Sequence, residues 1–171
     1  MILRRAPAAA RRRLDSAEHI VGWSVPEAGS ADAPLVVTNL GIWWPVGGDA
    51  RRIGWERVDK AVWSDDTLTV TEADVVDDLL LVERAPVSVR LPSPGSVPTA
   101  VRKRVESTVA HRHEAIIDGR MVRIVARRVP GHDGLRWWAL LPADMPDTPE
   151  VRAYLRALIG RLRGAEADLD Y

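Results

Sequence analysis

Four of the seven tryptophans fall between positions 43 and 63, at Trp43, Trp44, Trp55 and Trp63. The first two end the run Leu35-Val36-Val37-Thr38-Asn39-Leu40-Gly41-Ile42-Trp43-Trp44. Its β-branched and aromatic residues favour an extended strand. Val46-Gly47-Gly48-Asp49 is turn material, since glycine accepts positive φ without a Cβ clash. A return strand from Arg52 to Val58 completes a predicted hairpin. Successive strand residues point to opposite faces, so Trp43 and Trp44 cannot share one core layer. One belongs to the core. The other needs a cover, which the apolar helix surface after residue 147 can supply, or it is exposed to a partner. The same reasoning applies to Trp137 and Trp138. Trp44 and Trp138 are therefore the candidate exposed or interface aromatics.

Short strands continue along the chain. Residues 19–25 and 67–71 read as strands, with Leu68 and Val70 inward and the threonines outward. Residues 79–82 and 87–91 follow, separated by Pro86. This spacing is that of an antiparallel barrel or sandwich. Val97, Val101, Val105 and Val109 then recur every fourth residue, which predicts a helix from Pro98 to His111 with one apolar stripe against the sheet. Residues 120–129 and 135–141 form a second hairpin around Pro130-Gly131-His132-Asp133-Gly134. A last helix opens at Asp147, with Glu150 at the capping-box position. Val151, Leu155, Leu158, Ile159 and Leu162 make its apolar face, and Gly164 ends it. At the other end, Pro7 suits a first helical turn, so the Ala- and Arg-rich start predicts a short basic helix from Ala6 to about Leu14.

Composition narrows the chemistry. The 171 residues contain no Cys, which excludes disulfides, thiolate metal sites and Cys nucleophiles. The formal net charge is zero, which argues against general polyanion binding. No apolar run approaches the ~20 residues of a membrane-spanning helix, and residues 1–13 lack the apolar core of a secretory signal. The expected compartment is the cytoplasm.

Three motifs resemble a bacterial PH-like (GRAM-like) domain: His19-Ile20-Val21-Gly22-Trp23, then Val37-Thr38-Asn39-Leu40-Gly41-Ile42-Trp43, then Ile53-Gly54-Trp55-Glu56-Arg57-Val58-Asp59-Lys60-Ala61, followed by short strands and a closing helix. With Val101-Arg102-Lys103-Arg104-Val105 and Arg136-Trp137-Trp138, the fuller chain is similar to small actinobacterial proteins of this kind. The resemblance implies a bent antiparallel sheet or partly open barrel closed by a helix; the C-terminal β-hairpin and helix, after about residue 114, fall outside that pattern, and the whole is expected to be an α+β fold. The expected divisions are a basic N-terminal helix (1–14), a PH-like region (15–113), a hairpin and helix packed on it (114–163) and an acidic tail (164–171). The alternative is one single domain over residues 1–163.

Function is less legible. Asp65-Asp66 and Asp77-Asp78 fit turns better than acid–base pairs. His111 and His113 fit a helix end better than a metal site, which would also need His132 or an acid such as Glu114. No nucleophile elbow or phosphate loop is present. A non-enzymatic binding or scaffold module without a cofactor is the expectation, with a protein partner or a second copy of the chain. The alternative is nucleic acid, phosphate or an anionic headgroup, held by the basic residues Arg102, Lys103, Arg104, Arg112, Arg123 and Arg127.

Overall fold

The computed structural model describes residues 5–29, 32–45 and 51–167. They form an α+β fold of mainly antiparallel strands. It divides into two compact units. Unit 1 is Met1–Glu72 with Arg84–Thr108, and unit 2 is Ala73–Glu83 with Val109–Tyr171.

Unit 1 begins with α1 (Ala8–Arg11), which starts directly after Pro7 and lasts one turn. The expected helix to Leu14 stops early, at Arg11. Strands β1 (Ile20–Ser24), β2 (Leu35–Thr38), β3 (Gly41–Trp44) and β4 (Arg51–Gly54) form a four-stranded antiparallel sheet in chain order. The run expected as one strand over 35–44 is thus two strands. Thr38 Oγ1 accepts the backbone N–H groups of Leu40 and Gly41, both at 3.1 Å, and turns the chain so that Val36 faces Trp43 and Val37 faces Ile42. Gly41 also permits β4 to lie close, since a Cβ there would collide with the Ile53 carbonyl. The predicted turn at 46–49 lies outside the described residues.

A 3₁₀ turn (Trp55–Arg57) replaces the end of the expected Arg52–Val58 strand and leads into β5 (Val58–Ser64). β5 pairs with β6 (Thr67–Val75), which continues into unit 2 and pairs there with β7 (Leu80–Glu83). β8 (Val87–Arg90) returns to the first half of β6. Leu68 and Val70 are buried, as their alternation predicts. Helix α2 (Val97–Thr108) closes the unit through Val97, Val101 and half-buried Val105. Buried Gly22 lets the start of α2 approach β1: a Cβ would meet Ser96 Oγ at 2.9 Å. The core also contains Leu35, Ile42, Trp44, Ile53, Trp55 and Leu91.

In unit 2, β9 (Val109–Ile117), β10 (Arg120–Arg128) and β11 (Leu135–Leu140) pair antiparallel, and β11 pairs parallel with β7. The helix expected to reach His111 ends at Thr108, whose hydroxyl donates to the Arg104 carbonyl at 2.8 Å. Val109 therefore leaves the valine stripe, and His111, Arg112 and His113 are strand residues. Here pairing with β10 outweighs the four-residue periodicity. Helix α3 (Pro149–Ala167) buries Val151, Leu155 and Ile159, with Leu158 and Leu162 beside them, against Trp137 and Ile124. Its cap is Thr148, whose Oγ1 accepts the Val151 N–H, rather than Asp147. Gly164 is internal to the helix. The opposite sheet face holds a second cluster of Trp138, Val125, Leu140, Leu81 and Ala73.

Candidate functional site

The six basic residues singled out above are divided equally between the units. Arg102, Lys103 and Arg104 lie on α2 of unit 1. Arg102 is 75% exposed and 4.0 Å from Glu106, and Arg104 is half-buried. Arg112, Arg123 and Arg127 share one face of the β9–β10 ladder in unit 2, but that face is not a free cationic surface. Arg123 is ion-paired with Glu83 and stands opposite Glu114, while Arg127 is 1% exposed. The pattern of charges in the sequence could not reveal this, because the neutralising Glu83 arrives from β7.

The two candidate exposed tryptophans are buried. Trp44 lies in the core of unit 1, and its indole Nε1 finds no acceptor among the described residues. Trp138 lies in the second cluster of unit 2 and donates to the Asp77 carbonyl at 3.2 Å. The partly covered member of the first pair is Trp43. Its cover is a carboxylate and a guanidinium, not the apolar helix surface expected from beyond residue 147. Trp43 Nε1 donates to Glu18 at 3.0 Å, and Arg52 lies over the ring 5.9 Å from its centroid.

The remaining titratable motifs have structural partners. Asp65 and Asp66 hold positive φ in the β5–β6 turn. Asp77 caps the Leu79 and Leu80 N–H groups at 2.8 and 2.9 Å and accepts from Arg152 at 2.6 Å. These bonds, the Arg152 one foremost, lower its pKa to about 2. His111 and His113, on one face of β9, stack on Trp137, and His111 Nδ1 lies 3.1 Å from Glu166. His132 contacts Arg136 instead. Among the described residues no group of three or more His, Asp or Glu side chains is placed to hold a metal ion.

The site that sequence reasoning missed is a trough on unit 1 of about 1100 Å³. Its walls are residues 20–27 of β1 and the following loop, residues 92–96 before α2, and Arg5, Ala6 and Arg11. Backbone and hydroxyl bonds fix the two longer walls together. Ser24 Oγ donates to the Ser93 carbonyl at 2.9 Å, Ser96 Oγ to the Val21 carbonyl at 3.4 Å, and the Glu27 N–H to the Arg90 carbonyl at 2.9 Å. The surface is mainly apolar, from Ile20, Trp23, Val25, Pro26 and Pro94. The volume matches the upper end of small-molecule sites, ~300–1000 Å³. The available signal was Pro92-Ser93-Pro94-Gly95, a stiff loop too apolar for a plain solvated turn.

No family model, curated protein or solved structure matches this chain. Among the described residues no helix is long and apolar enough to cross a membrane.

Proposed function

We propose that the chain is a cytoplasmic, non-catalytic binding module of PH-like type whose unit 1 takes a ligand in the trough along β1. The observation that carries this reading is the trough itself: a large apolar recess whose two longer walls are already bonded to each other, so little ordering of those walls accompanies binding. The strand plan supports the PH-like reading. That resemblance implies a bent antiparallel sheet closed by a helix, and unit 1 has antiparallel strands β1–β4, antiparallel pairing of β5, β6 and β8, and helix α2. Protein partnership through an exposed tryptophan is weakened by the burial of Trp44 and Trp138. Phosphate or nucleic-acid binding through the six basic residues is weakened by the pairing of Arg123 and the burial of Arg127.

The test uses a neutral apolar dye, N-phenyl-1-naphthylamine. Saturable fluorescence at one site per chain is expected, and Ile20→Trp, which fills the trough, should remove it while leaving the unfolding transition in place. Absent saturation, or unchanged binding by a folded I20W variant, would sink the reading.

A further inference from the structure

We infer that the trough selects an amphipathic anion: a single-chain molecule whose apolar body lies along β1 and whose carboxylate or phosphate head is held by Arg5 and Arg11. This rests on the reading of unit 1 as a binding module and specifies the ligand's chemistry.

The charge pattern around the trough carries the argument. Two arginines that reach carboxylates flanking β1 are already neutralised. Arg90 is 3.2 Å from Glu27, the only acid among the described residues that line the trough. Arg52 is held by Asp15 at 2.6 Å and Glu18 at 3.1 Å. Asp15, Glu18 and Glu27 are thereby committed. Arg5 and Arg11 also line the trough, and neither has a carboxylate partner among the described residues. Arg5 precedes Pro7 and Arg11 ends α1, and both residues line the same recess.

An apolar recess with two unneutralised guanidinium groups has mixed chemistry. A wholly apolar ligand would leave the cationic end without a counter-charge. Inorganic phosphate or a small sugar phosphate would leave the surface of Ile20, Val25 and Pro94 wet. A molecule with both parts satisfies both ends: its body removes apolar surface from water, and its head accepts the forked N–H donors of arginine. Trp23, half-buried in the wall, offers an aromatic surface for the body.

Titration calorimetry with dodecyl phosphate below its micelle-forming concentration tests this, with inorganic phosphate and dodecyl maltoside as comparisons. One dodecyl phosphate per chain is expected, with no detectable heat from millimolar inorganic phosphate. Both arginines are exposed, so R5A/R11A should fold normally. The double variant should weaken dodecyl phosphate binding by about tenfold or more while leaving the maltoside unaffected. The inference is overturned if inorganic phosphate binds equally well, if R5A/R11A leaves the affinity unchanged, or if only anionic lipid vesicles, and no monomeric amphiphile, retain the protein. Equal affinity for the maltoside overturns the anion selectivity but leaves the binding-module reading standing. Failure of every amphiphile and of the neutral dye removes both.

Discussion

The imidazole of His111 lies parallel to the indole of Trp137, with 9° between the planes and 5.8 Å between centroids. His113 stacks on the same indole at 6.0 Å, and Glu166 from the last turn of α3 reaches both histidines. This packing ties the end of α3 to the sheet of unit 2. His111→Ala should cost about 1 kcal/mol and raise hydrogen exchange in residues 162–167 first. Equal exchange along all of α3 would contradict that placement.

A second attachment of α3 is acid-sensitive. Arg152 bonds Asp77 and Asp147, and the Asp77 carboxyl titrates well below its ordinary range of about 4. A carboxylate with a depressed folded-state pKa contributes stability that is complete above its unfolded pKa and is lost as pH falls through the folded value. The contribution of Asp77 should therefore disappear between about pH 4 and about pH 2. Asp77→Asn should flatten that part of the stability–pH curve, measured by urea unfolding. An unchanged slope would refute the assignment.

Glu18 is a buried carboxylate with four donors. It accepts from Thr38 Oγ1 at 2.5 Å, from Trp43 Nε1 at 3.0 Å, from Arg52 at 3.1 Å and from the Asp15 N–H at 3.2 Å. Glu18→Ala removes an acceptor from Thr38 and Arg52, leaves Trp43 Nε1 without one, and should destabilise unit 1 by about 3 kcal/mol. Glu18→Gln retains part of the network and should cost less. The order of the two urea midpoints is the check.

The adjacent tryptophans should separate in the same assay. Trp44→Ala opens a cavity in the core and should cost about 3–5 kcal/mol. Trp43→Ala removes a half-exposed ring and one hydrogen bond, and should cost about 1–2 kcal/mol. Similar losses for the two variants would show that the faces are misassigned.

Local chemistry made the strands legible. The alternation around Leu68 and Val70, the turn residues 130–134 and the apolar face of α3 each need only neighbours in sequence. The structure departs from the local pattern where distant partners decide. The Thr38 turn is hidden inside a continuous β-favouring run, although Asn39 and Gly41 were an available cue. The valine stripe continues through Val109, yet β10 claims that residue for a strand. At the site, Glu83 neutralises Arg123 across a ladder that no spacing in the sequence reveals. Arg5 and Arg11 line a recess whose other walls, β1 and residues 92–96, no spacing in the sequence brings beside them.

Unit 2 takes β7 from the middle of the chain, and that has a consequence during synthesis. Leu80 emerges from the ribosome long before Ala139, the residue it pairs with in parallel on β11. Until then the apolar stretch Leu79-Leu80-Leu81 lacks the strand that covers it, so a nascent chain halted near Thr108 carries a sticky loop. Such a fragment should be a good chaperone substrate and a poor candidate for expression by truncation.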